Sequence, residues 1–574
     1  MKRIAIIGAG QSGLQLALGL LNASYEVTLV SDRSAEEIRS GRVMSSQCMF
    51  DSALQTERDL NLNLWEQECP RVDAISFAVP GASGAKLIDW AAALDGYAQA
   101  VDQRVKMPRW MSEFEKRGGR LVIAEAQISD VDSYARKNDL TIVATGKGNL
   151  GRLFERDASR SPYERPQRIL ALTYVKNLTP RAAGAAVCFN LIPGVGEYFV
   201  FPALTVNGPC EIMVFEGIPG GPMDRWSEVK TPQQHLAKSK WILETYLPWE
   251  AERCAKVELT DDRGILTGSL TPVVRRPIAK LPSGRMALGI ADAVVLNDPI
   301  TGQGSNNAAK SADIYLKSIL EAGDSAADAE WMEQTFDRYW TGYARWVTEW
   351  TNLLLNPAPH VLKILESSAQ LPDVAEAVVN GFDDPRSLFP WFMEAADANS
   401  YLAKSKAATA KQFDRRDFRR ALGQFATGVT IVSARARDGG RVGLTVNSFS
   451  SVSLDPPLVL WSLAKNSSSY AEFRKATHFA VNVLAADQHH LSRKFSSPDV
   501  DRFSDVECIE SPEGIPLLCG TTAHFVCRLV REFDGGDHVI FLGEVENYKW
   551  REGEPLVFHS GRYHVATRHP DLPD

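Results

Sequence analysis

The sequence predicts a fold of class α/β plus β: a large nucleotide-binding domain over residues 1–400, a linker over 401–412 and a smaller β-barrel domain over 413–574. Three observations carry that expectation. "KRIAIIGAGQSGLQLALGLL" reads as a strand, a tight turn and a helix, with glycines at 8, 10 and 13. "SYLAKSKAATAKQ", residues 400–412, holds small residues and lysines with no lasting apolar period. After it the chain is patterned again, as short apolar runs broken by Gly, Asp and Pro, the signature of a closed or split barrel.

The totals agree with a multidomain globular chain; length alone suggests about three or four domains, a number that large α/β enzymes often undershoot. At 574 residues it exceeds one hydrophobic core, which stops growing near roughly 250–300 residues. A net charge of −8 gives no support to nucleic-acid binding. No run of about 18 apolar residues marks a membrane span. Lys2, Arg3 and the apolar run after them imitate a secretory signal, but Gln11 and Ser12 interrupt it and no small-residue cleavage site follows. The expected location is cytoplasmic. Eight cysteines are scattered without a CxxC pair, so reduced, buried thiols are expected. Only His235 and His360 precede the linker, with no HxxxH spacing, and no metal site is expected.

The elements follow in order. Gly8 permits the turn after the first strand, Gly10 lets backbone approach a pyrophosphate, and Gly13 lets the helix pack on the strand. The helix N-terminus offers free N–H groups to that anion. The second strand, "EVTLVSDR", ends with Ser31 where an acid is customary and Asp32 one position later, still placed to hold a ribose hydroxyl. "DLTIVATGKGNLGR", 139–152, is a strand and a Gly-rich turn. "RMALGIADAVVLNDPITGQGSNNAAKSADIYLKSIL", 285–320, is a strand, Asp292, then a loop through Pro299, Gly302, Gln303 and Gly304 that opens a helix near Ser305 and Asn306. From about 330 to 395 the chain is helical and aromatic, with Trp346 and Trp350 on one core-facing side. Beyond Gln412, Phe418, Ala421, Leu422 and Phe425 fall at i, i+3, i+4 and i+7, a helix that Gly428 is placed to end.

Taken together, the fingerprint, the 139–152 turn and the 285–320 loop resemble the FAD-binding group A flavoprotein monooxygenases, a Rossmann-like fold. Thr145 and Asn149 stand where self-reducing members read Asp and Ser, and Ala291-Asp292 stands for their Gly-Asp. Those departures resemble the branch that receives its flavin already reduced. "VTLVSDR", "GRVMSS", "AVDQRVKMPRWMSEFEKRGG", "SPYERPQR" and "NDPITGQG" are similar to the epoxidase component of styrene monooxygenases over nearly all of residues 1–400. The resemblance implies that Asp292 contacts the FAD ribityl or phosphate region and that the 298–304 loop lies beside the isoalloxazine. It implies that the following helix points its positive end at the flavin, and that Arg42 and Arg104 contact it. Val43, Met44, Ser45 and Gln47 become candidate walls of a dry, uncharged substrate pocket. The implied chemistry is oxygen transfer from a flavin C4a-hydroperoxide to an aryl alkene such as styrene. Indole oxidation or aryl sulfide sulfoxidation by the same machinery stays open.

"FATGV", "GLTVNSFSSVSLDPPL", "VNVL", "GDHVIFLG" and "LVFHSGRYH" resemble the short-chain flavin reductases that partner two-component monooxygenases. This resemblance implies a split β-barrel binding flavin and NADH. Thr445, Asn447 and Ser448 would meet the ring edge, Ser450 and Ser451 the phosphate side, and Ser467, Ser468 and Arg493 would add flavin contacts. His538 would position the nicotinamide, while His489 and His490 read as surface residues. Members of this family dimerise, so a homodimer through the C-terminal domain is expected. O2, a small aromatic substrate and a separate single-domain epoxidase that shares the reduced FAD are the further partners considered. From a different class, an NAD-dependent dehydrogenase with an appended flavin-binding domain is the competing expectation. A flexible linker of this length reaches only about 20 Å root-mean-square, which keeps two modules close without forming a channel.

Overall fold

The computed structural model describes residues 2–81, 84–146, 148–181, 184, 186–409, 415–436, 439–497 and 501–567, with the side chains of all of these but 148, 149 and 415–417. Two compact units result, Met1–Ala410 and Lys411–Asp574.

Continuous apolar runs at Ile4–Ile7, Val27–Val30 and Leu140–Val143 make strands that must be covered on both faces. They form the heart of a six-stranded sheet. Arg3–Ile7 lies parallel to Glu26–Ser31 on one side and to Leu140–Val143 on the other. Arg120–Ile123 and Met286–Gly289 extend the two sides in parallel, and Ile278–Lys280 closes one edge antiparallel. Strand order therefore reverses between Arg3–Ile7 and Leu140–Val143, the place where such sheets bind ligands at their carboxyl ends. The helix Gln11–Asn22 packs against the long helix Gly304–Ala322, close enough that a Cβ on Gly19 would meet Leu316 at 2.5 Å.

The second sheet of this unit has nine strands and is largely antiparallel, centred on Ile169–Lys176, Gly208–Gly217, Gly196–Thr205 and Ala186–Ile192. Its central strands Gly196–Thr205 and Gly208–Gly217 alternate between two buried faces. Phe199, Phe201, Ile212 and Val214 face the C-terminal helices of the unit. Tyr198, Val200, Met213 and Phe215 face the helix Pro232–Tyr246. In the aromatic segment Trp350 is buried against Phe382, and Trp346 lies edge-on to Phe389. A π-helical turn, Trp340–Ala344, sits between the two α-helical stretches.

Two sequence-based expectations need correction here. Residues 401–409, expected as linker, complete the helix Ala395–Thr409. Leu402 is buried in the core, and the Ser405 hydroxyl donates to Asp373 at 2.6 Å. So few anchors leave no apolar period to read. Residues 410–412 lie outside the described residues. Gly428 does not end a helix either: the helix Arg415–Leu422 stops earlier, and Gly428 pairs with Val557 in a short strand. Phe418, Leu422 and Phe425 are exposed, so the apolar face of that segment is not covered within its own unit.

The C-terminal unit is built on a seven-stranded antiparallel sheet in the order 441–446, 430–435, 478–483, 523–535, 538–550, 457–464, 450–454. Its two edge strands are consecutive in sequence, joined by residues 447–449, so one short loop draws the sheet's edges together as in a split barrel. Trp461 fills the interior, stacked on Phe541 and edge-on to Phe473 and Phe479. The eight cysteines are free thiols, Cys508 and Cys519 only half-buried.

Candidate flavin and substrate cleft

The first strand ends at Gly8, whose φ of +120° suits only glycine and turns the chain under the sheet. A Cβ there would touch the Ala144 carbonyl at 2.9 Å, and one on Gly13 would overlap the Gly8 carbonyl oxygen. Gly10 differs: a Cβ on it would meet nothing within 4 Å. Packing therefore explains Gly8 and Gly13, whereas Gly10 faces open space at an uncapped helix N-terminus. A second close approach joins the later loops, since a Cβ on Gly146 would come within 2.5 Å of the Asp292 carbonyl. Three segments distant in sequence thus meet around one cleft of about 1890 Å³.

Gly8, Gly10, Asp32, Arg42, Asp292, Pro299, Gly302, Gly304 and Ser305 all line this cleft, and so do Val43, Met44, Ser45 and Gln47. The 43–47 segment has no regular structure and is fixed by side chains. Ser45 Oγ donates to Gln47 Oε1 at 2.7 Å, Gln103 Nε2 donates to Ser45 Oγ at 2.9 Å, and the Tyr174 hydroxyl donates to the Ser45 carbonyl at 2.7 Å. Gly302 takes a φ of +64°, which lets the 298–304 loop turn directly into the helix that starts at Gly304.

Other expected residues lie behind the wall. Gln303 is buried, donating to the Phe382 carbonyl and accepting from the Tyr343 hydroxyl. Asn306 bonds the backbone of Cys48 and Phe50, which ties the helix to the 43–50 segment. Arg104 is the clear correction. Its guanidinium is 2 % exposed and held by Asp102 at 2.8 Å, Asp261 at 3.0 Å and the Thr205 hydroxyl at 3.0 Å. It ties the start of the helix Gln103–Lys116 to Thr205 and Asp261 and is not among the residues that line the cleft. Its neighbour Asp102 caps the helix Gln103–Lys116, so a sequence that looked like a ligand contact is an interior brace.

The floor of the cleft comes from the second sheet. Leu170, Leu172, Val214 and Leu266 present apolar surface, and register places Leu172 beside both Val214 and Leu266. Among them sits Glu216, fully buried, with neither carboxyl oxygen hydrogen-bonded among the described residues. Burial and the nearby charges of Asp298 and Glu197 push its carboxyl well above the usual range, with Arg168 opposing them. Arg168 is already engaged by Glu197 in a two-pronged pair at 2.7 and 2.9 Å. Asp298, which accepts from the Ile300 N–H at 3.2 Å, is pushed up to about 6, chiefly by burial. Sequence analysis did not single out Glu216; an acid on the inward phase of an apolar strand was the available signal.

In the C-terminal unit the loop after Val446 meets the strand Pro457–Ala464. Ser448 Oγ accepts from the Ser462 N–H at 2.9 Å, and Thr445 Oγ1 donates to the Ser492 carbonyl at 2.7 Å. His538 pairs with Ala464, and the Ser467 N–H donates to the Ala464 carbonyl at 3.0 Å, so Ser448, Ser467 and His538 gather at one strand end. Ser468 neighbours Ser467 and is exposed, as are Asn447, Ser450 and Ser451. His538 Nδ1 lies 2.7 Å from Asp537 Oδ1. Arg493 lines a smaller cavity of about 500 Å³ with His489, Phe558, Arg562 and Tyr563. His489 is thus a surface residue on a cavity, which its sequence context did not reveal.

Two family models match the chain: a styrene monooxygenase A substrate-binding domain over residues 146–253, and a flavin reductase like domain over residues 422–567. Styrene monooxygenase StyA of Pseudomonas fluorescens is 29% identical over 398 residues, covering 67% of this chain and 93% of that protein. FMN reductase (NADH) SmoA of Agrobacterium fabrum is 51% identical over 153 residues, covering 27% of this chain and 87% of that protein. The solved styrene monooxygenase flavin reductase SMOB of Pseudomonas putida S12 is 34% identical over 26% of this chain and 98% of that one, with a TM-score of 0.25.

Proposed function

The chain belongs to the flavin reductase like family through its C-terminal unit, and on that premise we propose an enzyme that makes reduced FAD from NADH in one unit and uses it to epoxidise styrene-like aryl alkenes in the other. Its two halves are those of a fused, two-component flavin-dependent monooxygenase that needs FAD and NADH. The observation that carries the finer reading is the single cleft of the first unit. One end has a dinucleotide loop with a bare Gly10, the middle has the 298–304 loop, and the floor is leucine and valine.

FAD fits that cleft by its shape and donors. Bare N–H groups at the Gly10 turn would hold the pyrophosphate, Asp32 a ribose hydroxyl, and Asp292 the ribityl side. The 298–304 loop and the helix after Gly304 would flank the ring, a group A monooxygenase arrangement. The free N–H groups of that helix favour negative charge. Bound there, reduced FAD supplies the electrons that activate O2 for transfer of one oxygen atom. The chain's own task is to orient the aromatic against Leu170, Leu172, Val214 and the 43–47 wall and to keep water out.

In the second unit Thr445, Asn447 and Ser448 would hold the ring edge, and Ser450, Ser451, Ser467, Ser468 and Arg493 the rest of the flavin. His538, with its ring beside Asp537, would position NADH. Exposed Phe425, Leu454 and Trp550 support a homodimer through this unit. No helix among the described residues is long and apolar enough to cross a membrane, which accords with a cytoplasmic enzyme. The test is incubation of the purified chain with NADH, FAD, O2 and styrene. Styrene oxide is the expected product; NADH consumption that yields only hydrogen peroxide would overturn the epoxidase reading. Tightly held NAD with no response to FAD would favour the dehydrogenase alternative.

A further inference from the structure

We propose that Glu216 is a specificity-determining residue of the substrate cavity, a carboxyl group that anchors aromatic substrates bearing a ring N–H and leaves hydrocarbon analogues without a polar contact. The assignment rests on the reading of this cleft as the substrate site of an oxygenase.

Position comes first. Glu216 shares the inward face of its strand with Ile212 and Val214 and pairs across the sheet with Leu170 on one side and Glu197 on the other. Leu170, Leu172, Val214 and Glu216 are all on the cleft wall, so the carboxyl stands in a field of aliphatic side chains. It is completely shielded from bulk solvent, and neither oxygen has a hydrogen-bond partner among the described residues. A buried polar group without a partner is costly and is rare in folded proteins. Glu216 lines the cleft but neither oxygen has surface open to it, so a ligand there partners the carboxyl when the side chain turns toward the cleft.

Charge decides the form in which it acts. The ionisable groups around Glu216 are Glu197, Asp298 and Arg168. The one guanidinium among them is bound on both prongs by Glu197 and also donates to the Leu355 carbonyl at 3.3 Å. Glu216 and Asp298 are therefore left without a cation of their own, which together with burial favours the protonated form of Glu216. A neutral acid keeps a carbonyl oxygen that accepts from an N–H, and a hydroxyl that donates. The same neutrality suits an apolar ligand poorly matched to a carboxylate. A planar bicycle with a ring N–H satisfies both demands: its carbons meet the leucines and its N–H meets the carboxyl.

The experiment compares indole with indene, two bicycles of nearly the same shape that differ in N–H against CH2. Binding of each to the full-length, FAD-loaded chain is followed by calorimetry without NADH, so no turnover occurs. Wild type is expected to prefer indole by about tenfold or more, since a site built around a hydrogen bond discriminates against the analogue that lacks it. Glu216→Leu should bring the two affinities within about twofold while indene binding is kept or tightened. Glu216→Gln, whose amide also accepts from an N–H, should retain the preference. Should the leucine variant fail to fold, Glu216→Met serves in its place, indene binding reporting an intact cleft. A wild type without preference, a leucine or methionine variant that keeps it, or a glutamine variant that loses it overturns the assignment. A chain that binds indole preferentially yet oxygenates neither indole nor styrene overturns the oxygenase reading and not this assignment. One that oxygenates both but binds them without preference overturns this assignment alone.

Discussion

Gly10→Ala is the substitution that separates cofactor binding from folding most cleanly. At Gly10 the backbone has φ −85° and ψ −169°, which any L-residue adopts. A Cβ there would touch no protein atom within 4 Å. Alanine at a compatible glycine gains about 0.4–1 kcal/mol through the unfolded chain, and its poorer fit as an N-cap returns a few tenths. Unfolding of the FAD-free protein should therefore move by less than about 1 kcal/mol. The same methyl group fills the space the pyrophosphate would occupy. Losing two hydrogen bonds to a charged group, at about 1.5 kcal/mol each, weakens FAD by roughly 3 kcal/mol, or ~10²-fold. Gly13→Ala is the control, because its Cβ overlaps the Gly8 carbonyl and forces the helix off the strand, a strain of about 1–3 kcal/mol. The assay is the FAD concentration that gives half-maximal product in the full chain, read beside NADH consumption. In Gly10→Ala that concentration should rise about a hundredfold while NADH consumption holds, the difference appearing as hydrogen peroxide. A Gly10→Ala protein with wild-type FAD dependence, or one destabilised as far as Gly13→Ala, would refute the reasoning.

The other predictions test the braces and the second unit. Arg104→Ala leaves Asp102 buried without its partner and should cost about 3–5 kcal/mol in urea unfolding, with no change in the FAD concentration for half-maximal product at low temperature; a selective loss of FAD affinity would return Arg104 to the cleft. His235 and Asp298 should oppose each other as pH falls. Burial lowers His235 to about 4, so the native state binds fewer protons than the unfolded one and stability declines below pH ~6.5. Asp298 is raised to about 6, so the native state holds a proton the unfolded state lacks, adding stability as pH falls through 6 and losing it on the way up. Asp298→Asn removes that compensation, and its deficit against wild type should widen by about 1.4 kcal/mol between pH 7 and pH 5; a constant deficit would contradict the assignment. His538→Ala should slow NADH-driven flavin reduction by up to ~10²-fold through mispositioning, yet leave oxygenation unchanged when FAD is reduced chemically and supplied anaerobically before O2.

What the sequence disclosed and what it hid divide along a physical line. The Gly8–Gly13 turn, Asp32 and the 298–304 loop were legible as parts of one cleft because backbone conformation and spacing, which the residue types spell out locally, bring them there. The 43–47 wall was legible only through resemblance, since nothing in Val43 or Met44 announces a pocket. Arg104 misled because an arginine two residues after an aspartate looks the same whether it faces a ligand or braces the interior, and Asp261 lies far along the chain. Glu216 stayed hidden for the complementary reason. Its neighbours Glu197 and Asp298 arrive from another strand and another loop, and only the folded register shows three carboxyls near one guanidinium that Glu197 already holds. The helical end of the supposed linker was missed because so few of its side chains, Leu402 and Ser405 among them, are buried.

The carboxyl group at the floor and the loop that would flank the ring belong to one electrostatic arrangement. Asp298 begins the 298–304 loop, and its carboxylate accepts from Ile300 inside that loop. A few residues later the helix Gly304–Ala322 begins, its first N–H groups exposed to the cleft and no side chain capping them. Such an end attracts negative charge by about 0.3–1 kcal/mol, more when shielded from water. An ionised Glu216 or Asp298 beside it would compete for that attraction and would repel an electron-rich ring. Burial raises both carboxyls: Asp298, at about 6, still ionises near pH 7, whereas Glu216 is pushed well above the usual range and competes less for the helix end's field. Replacing Glu216 by glutamine adds no charge there and should leave FAD dependence unaltered, whereas Glu216→Lys would put a cation on the floor. The lysine should pair with the Asp298 carboxylate and pull the loop's first residue toward the sheet, raising the FAD concentration for half-maximal product even though no residue in contact with FAD has changed.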